Sequence, residues 1–144
     1  NSQAIGVAYL DQDIVDATYL LVNNITGQMG YTTGSPTTSG ASVTQATSKS
    51  TGVTLNAAAG QIVTNNAALA AGAEVAFIVT NSAVSALDIP VIALASGATT
   101  AGTYLLSIAT VAAGTFTVVI SNASAGSLSE ALTLNFGILH VAQL

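Results

Sequence analysis

The segment that decides the fold is YLLSIATVAAGTFTVVI, residues Tyr104–Ile120, which carries no charge and is almost long enough to cross a membrane as a helix. Its apolar residues alternate with hydroxyl residues on both sides of Gly114, and a period of two is typical of half-buried β-strands. Gly114 stands where the two alternating halves meet, as a turn residue does. We therefore predict two strands joined by a turn, and not a transmembrane helix.

The same alternation recurs along most of the chain, and each recurrence predicts a strand. In AEVAFIVTN (Ala73–Asn81) the apolar side chains fall on one face. Pro90 lies inside another such segment, which predicts an edge strand or a bulge there because proline cannot donate to a central ladder. The remaining strands are predicted at Ile5–Leu10, Thr18–Asn23, Gln28–Tyr31, Val43–Thr47, Gly52–Asn56, Gln61–Asn65, Leu87–Ala95, Thr103–Thr110, Thr115–Ser121 and Glu130–Val141. These strands predict an all-β fold, an antiparallel β-sandwich of Greek-key or jelly-roll-like type.

A polar connection divides the chain. The sequence TTGSPTTSGAS, at Thr32–Ser42, contains no large apolar residue, which is typical of an exposed linker. We predict an N-terminal arm or small β section at residues 1–34, a linker at 35–42 and the β-sandwich domain at 43–144.

Two segments of the predicted domain resemble each other. Leu69–Ala83 (LAAGAEVAFIVTNSA) and Val111–Ser124 (VAAGTFTVVISNAS) both pass from an Ala-Ala-Gly turn through an alternating strand to a Thr/Ser-Asn pair. Short strand patterns are degenerate, so the likeness fits either coincidence or two related halves of a Greek-key sandwich.

The composition excludes several classes of function. The chain has one Lys, no Arg and a formal charge of −5, so it cannot neutralise a series of phosphates on a nucleic acid or an anionic membrane. It has no Cys, and therefore no disulfide or thiolate metal site. No basic region precedes an apolar stretch, so no signal peptide is visible.

The predicted outer faces of the sheets carry Thr, Ser, Asn, Ala and Gly where soluble proteins usually carry Lys and Glu. Such faces also leave sheet edges without the charges that normally protect them from pairing. This pattern predicts a homo-oligomer in which copies of the chain cover much of the surface.

Few residues suggest chemistry. Asp11, Asp13 and Asp16 lie close together, but the glycine turn and the later bidentate Glu of a calcium loop are missing. A solvated turn is the main interpretation of this cluster, and a weak Ca²⁺ or Mg²⁺ site is the alternative. His140 lacks the sequence signature of a nucleophile with an orienting acid, so we interpret it as a surface or interface residue.

Lys49 lies in a Ser/Thr-rich segment, where we expect it to be solvated; an amide cross-link to an Asn side chain is the alternative. The chain has no Trp, and its four tyrosines are scattered, so no sugar-binding platform is apparent; they are Tyr9, Tyr19, Tyr31 and Tyr104. Asn24 and Asn122 each begin an N-glycosylation acceptor pattern. We predict no catalytic, cofactor-binding or metal-binding residue and no enzymatic activity.

Five blocks of the sequence carry a resemblance to a known group of proteins. They are TQATSKSTGVTLN (44–56), GQIVTNNAALAAG (60–72), FIVTNS (77–82), VAAGTF (111–116) and SAGSLSEALTLNF (124–136). Together they resemble β-structured virion proteins of tailed bacteriophages and prophages, some of which are capsid decoration (cement) proteins or head fibres. The resemblance covers Val43–Val141, and GQMGYTTG (27–34) is similar to the same group.

This resemblance implies a structural protein on the outer surface of a capsid. Its partners would be the major capsid protein and further copies of itself, in a trimer, with no cofactor and no catalytic residues. The alternatives are a tail-fibre or receptor-binding module, which would bind cells or glycans, and a bacterial pilus-like subunit, which would accept a neighbour's strand in an open groove.

Overall fold

The structure, a computed structural model, describes residues 20–22, 29–31 and 39–141, with side chains from residue 41 onward. The described residues form strands, turns and isolated bridges without a helix, which confirms the all-β prediction. The strands are β1 (Leu20–Val22), β2 (Met29–Tyr31), β3 (Ser39–Thr44), β4 (Val53–Thr54), β5 (Ala59–Val63), β6 (Glu74–Thr80), β7 (Ile89–Ser96), β8 (Tyr104–Ala112), β9 (Thr115–Asn122) and β10 (Thr133–Leu139).

Eight of these strands form two four-stranded sheets. Sheet 1 has the order β3-β5-β10-β7, and sheet 2 has the order β4-β6-β9-β8. The prediction of purely antiparallel sheets is wrong, because β3 pairs with β5 and β4 pairs with β6 in parallel. From β3 to β6 the chain alternates between the sheets, so strands two apart in sequence become neighbours that run in the same direction.

The two sheets share one apolar core, which gives a sandwich-like arrangement. Phe116 of sheet 2 and Phe136 of sheet 1 meet with ring centroids 5.7 Å apart and planes tilted by 53°. A tilted pair of this kind is a favourable aromatic contact. The other buried apolar residues of this core are Val53, Ala57, Ile62, Leu69, Phe77, Val79, Val84, Tyr104, Val118, Ile120, Leu132, Leu134 and Ile138.

The segment Tyr104–Ile120 folds as predicted from its alternation. It forms β8 and the greater part of β9, which pair in an antiparallel hairpin around Gly114. Gly114 has a φ of 80°, a conformation that glycine adopts without strain. Within the described part of the chain, no helix has the length and apolarity needed to cross a membrane.

The prediction for Pro90 is also confirmed. β7, which contains Pro90, is an edge strand of sheet 1 and pairs with β10 alone. The predicted strands from Gly52 to Val141 all overlap an observed strand, although their ends differ by a few residues. β3 begins at Ser39, within the segment predicted as linker, so sheet 1 takes in the last residues of that segment. The predicted strand Ile5–Leu10 lies outside the described residues.

The internal repeat becomes two neighbouring strands of sheet 2, β6 and β9. A buried asparagine stands at the end of each strand: Asn81 directly follows β6, and Asn122 is the last residue of β9. In both cases the side-chain oxygen accepts a hydrogen bond from the backbone N–H two residues later, at 2.9 Å. The turn glycine of each repeat bonds to the asparagine backbone of the other: Asn81 N donates to Gly114 O at 2.8 Å, and Gly72 N donates to Asn122 O at 3.0 Å. The two segments therefore share the same turn and the same cap.

Candidate interaction surfaces

The end of sheet 1 holds a polar cluster around Asp88 and His140. His140 Nδ1 lies 2.9 Å from Asp88 Oδ2, and the Asp88 side chain is almost fully buried while the His140 ring is about one third exposed. The same carboxylate accepts from the backbone N–H groups of Ser85, at 2.8 Å, and Val141, at 3.1 Å. Asp88 therefore ties the end of β10 to the turn that precedes β7.

These contacts keep Asp88 ionised. Burial on its own would raise the pKa of Asp88, but hydrogen bonds from Ser85, His140 and Val141 outweigh burial and lower the pKa to about 2. The Asp88 carboxylate is thus the shared partner of Ser85, His140 and Val141, and it links the turn before β7 to the residues that follow β10. The exposure of His140 agrees with its interpretation as a surface or interface residue, and its carboxylate partner was not predicted.

The prediction for Lys49 is wrong. Lys49 is 3% exposed, and its ammonium donates to the backbone carbonyls of Asn65 and Glu130, which lie on two other segments of the chain. Lys49 can be buried because these two carbonyls accept its ammonium hydrogens, and both carbonyls belong to residues distant from Lys49 in the sequence. The Asn65 side chain is engaged elsewhere, with Ala46 O at 3.1 Å and Ala67 N at 2.8 Å, so these contacts give no support for an amide cross-link at Lys49.

Burial also changes the acid–base properties of this region. It lowers the pKa of Lys49, while the nearby Glu130 carboxylate acts in the opposite direction. Burial and the same carboxylate raise the pKa of Tyr104 to about 12. In the part of the chain with described side chains, Tyr104 and the three phenylalanines are all buried, so this part presents no aromatic platform for a sugar.

The remaining candidate positions from the sequence are the glycosylation acceptors and the possible metal sites. Asn122 is 1% exposed, and its amide nitrogen donates to Leu69, Ala70 and Gly126, so the folded chain does not present it to a glycosylating enzyme. Among the described residues, no group of three or more His, Cys, Asp or Glu is placed to hold a metal. The cluster Asp11, Asp13 and Asp16 and the acceptor at Asn24 lie outside the described residues.

An exposed apolar patch surrounds the Asp88 cluster. Its members are 40–60% exposed, and we call them the apolar patch: Leu87, Ile89, Val91, Leu139 and Val141. Ile89 and Leu139 are cross-strand partners, and Val91 faces Gly137 in the next row. Covering a side chain of this kind fully is worth about 1.5–3 kcal/mol, so each half-exposed member leaves about half of that to be gained.

The outer face of sheet 2 presents hydroxyl groups. We call it the hydroxyl face; it comprises Thr54, Thr80, Ser107, Thr110, Thr115, Thr117 and Ser121, with Ala76, Ile78, Leu105 and Val119 between them. Thr110 Oγ1 donates to Thr117 Oγ1 at 2.8 Å. Glu74 is the one charged residue among the outward side chains of this sheet, and Ser121 Oγ donates to its carboxylate at 2.9 Å. The outward residues of sheet 1 from Ser42 on include no charged side chain.

Comparisons of the chain with protein families, with curated proteins and with solved structures find no match.

Proposed function

We propose that the chain is a structural virion protein of a tailed bacteriophage, a capsid decoration (cement) protein that binds the outer shell and stabilises it by bridging major capsid subunits. Two features support the proposal: the resemblance of the sequence to virion proteins and the near absence of charged side chains on the exposed faces of both sheets. It assigns the chain no catalytic step, no cofactor, no nucleic acid and no membrane. Its location would be the capsid surface.

The single observation that carries the proposal is the near absence of charge on both outer faces of the sandwich. Soluble proteins usually give about 25–35% of their surface to charged residues. The outward residues of the hydroxyl face include one charge, at Glu74, and the described outward residues of sheet 1 include none. Interface cores are depleted of charge in the same way, so these faces fit burial against other proteins.

The mechanism follows from repeated contact. In a trimer, each capsid subunit that touches the decoration protein is linked to its neighbours through several contacts of the same kind. Releasing one subunit then requires several contacts to break together, which strengthens the shell more than any single contact. The N-terminal section, residues 1–34, would add an arm to this assembly.

We further propose Greek-key connectivity for the sandwich, with the two repeat segments as related halves. β7 and β10 are neighbours in sheet 1, while β8 and β9, which lie between them in sequence, pair in sheet 2. The matching asparagine caps at Asn81 and Asn122 support a common pattern for the two repeats. A crystal structure of the whole chain that connects these strands differently would exclude this topology.

The test is binding of the purified chain to expanded phage heads from which it has been stripped. We expect wild-type protein to co-sediment with the heads and raise their melting temperature. Thr117→Lys places a charge at the centre of the hydroxyl face and should abolish both effects while the chain stays folded. Ala101→Lys, in the exposed turn before β8, is the matched control and should bind as wild type does.

Two outcomes would contradict the proposal. If the wild-type chain binds host cells or glycans and ignores heads, it is a receptor-binding module of the tail. If it exchanges strands with a second copy to form fibres, it is a pilus-like subunit.

A further inference from the structure

We propose that the apolar patch is the docking site for the chain's own N-terminal section, residues 1–34, which residues 35–38 connect to β3. This goes beyond the virion role: it concerns contacts within one chain, and the patch lies on sheet 1, whereas the head-binding test above changes the hydroxyl face of sheet 2.

The N-terminal section enters sheet 1 at the end that carries the patch. Ser39, the first residue of β3, pairs with Ala59; Ala59 pairs with Gly137, and Gly137 pairs with Val91. Ser39 and Val91 thus share one cross-strand row, three strand spacings or roughly 14 Å apart. β3 runs from this row away from the patch, so the chain enters sheet 1 at the patch end.

The connection is long enough. Residues 32–38 join β2 to β3, and an extended connection of this length spans roughly 25 Å. That exceeds the distance from Ser39 to Val91. The hairpin of β1 and β2 can therefore reach the patch within the same chain.

The N-terminal section also needs a surface to pack against. β1 and β2 are three residues long and pair with each other in a two-stranded sheet of their own. An isolated hairpin is at best marginally stable in water, and one this short requires an apolar partner. Its sequence is apolar at Leu20–Val22, and IGVAYL at residues 5–10 offers a second apolar segment.

The patch leaves room for such a partner. Gly137 has no side chain, and a Cβ added there would meet no atom within 4 Å, so the space over β10 beside Val91 is open. A shallow depression of about 480 Å³ lies over the strands on the other side of Gly137, lined by residues that include Gln61, Asn135 and Phe136. The open space at Gly137 and the half-exposed side chains beside it can accept apolar side chains of a docked hairpin.

The experiment is amide hydrogen exchange on the full-length chain. If the section docks, the amides of residues 20–31 are protected in the wild type, and Gly137→Gln lowers that protection on the order of tenfold by filling the open space over β10 with a polar side chain. Val91→Asn should do the same by a different route. Gly126→Gln is the matched control, because a Cβ there also meets nothing within 4 Å but lies in the loop after β9.

Protection of β6 and β9 reports whether each variant remains folded, and it should not change. The proposal is overturned if residues 20–31 exchange at the unfolded rate in the wild type, or if Gly137→Gln and Val91→Asn leave their protection intact. Protection that falls on dilution would mean that a second copy covers the patch, and would also overturn it. The same variants are also tested for binding to phage heads. That assay tests the virion role, whereas hydrogen exchange at residues 20–31 tests docking, so failure of one proposal can be told from failure of the other.

Discussion

Asn81→Ala should be among the most damaging polar substitutions in the chain. Asn81 and Ala57 are both fully buried. The side-chain amide of Asn81 hydrogen-bonds to the backbone N–H and C=O of Ala57, as a neighbouring strand would do. The amide nitrogen donates to Ala57 O at 2.7 Å, and the amide oxygen accepts from Ala57 N at 3.2 Å. The same oxygen accepts from Ala83 N at 2.9 Å.

The magnitude follows from the groups left without partners. Each buried backbone group that loses its hydrogen bond costs about 1–3 kcal/mol. Asn81→Ala leaves both polar groups of Ala57 unpaired inside the core, and Ala83 N unpaired at its margin. We therefore expect the free energy of unfolding to fall by about 3–5 kcal/mol, out of the roughly 5–15 kcal/mol typical of a domain.

The assay is equilibrium unfolding in urea, followed by intrinsic tyrosine fluorescence or circular dichroism. The matched control is Asn135→Ala, since Asn135 is exposed and its side chain accepts from Gln61 Nε2 at 2.9 Å on the outer face. We expect the control to change the free energy of unfolding by less than about 0.5 kcal/mol. Equal losses for the two variants would refute the argument that Asn81 serves as the partner of Ala57.

Three further predictions follow from single residues. Asp88 has a pKa of about 2 in the folded chain and 3.8 ordinarily, so between these pH values the unfolded state binds more protons than the folded state. The free energy of unfolding should therefore fall by about 2 kcal/mol as the pH drops from about 4 to about 2. The urea midpoint of Asp88→Asn should not show this fall. Lys49→Met leaves two buried carbonyls unpaired and should lower the free energy of unfolding by about 2–4 kcal/mol in the same assay, whereas a solvated lysine would cost almost nothing. Gly97→Ala places a Cβ 2.2 Å from a backbone oxygen at a φ of 100°, and it should prevent folding or lower the melting temperature by well over ten degrees. Gly72→Ala is the control, because Gly72 has a φ of 69° but open space around it, and this change should lower the free energy of unfolding by about 1–2 kcal/mol. Similar melting temperatures for the two variants would contradict the clash at Gly97.

The sequence predicted the positions of the strands well, because a period of two is a local property. Phe77 and Val79 are buried on one face of β6, as their alternation indicates, while Ile78 faces solvent. The hairpin around Gly114 and the edge position of Pro90 also follow from local rules on glycine and proline.

The order in which the strands pair could not be predicted from the sequence. β3 lies beside β5, and β4 beside β6, because the chain crosses between the sheets, and no local pattern encodes that choice. The burial of Lys49 was missed for the same reason, since the carbonyls that hold it belong to Asn65 and Glu130.

The apolar patch was missed because its alternation points the opposite way from expectation. In LDIPV the apolar residues Leu87, Ile89 and Val91 are exposed, while Asp88 and Pro90 turn inward. The inward placement of Asp88 depends on its contacts with His140 and Val141 in another strand region. The sequence signal that could have marked this surface is an acidic residue, Asp88, that alternates with apolar residues on both sides.

The most direct measurement of the central claim is a cryo-electron microscopy map of the phage particle that contains this chain. The account predicts trimers of the sandwich on the outside of the head, with Thr117 and its neighbours on the hydroxyl face buried against capsid subunits or sister chains. Density for the chain at the tail tip, or a hydroxyl face left open to solvent in the assembled head, would contradict it.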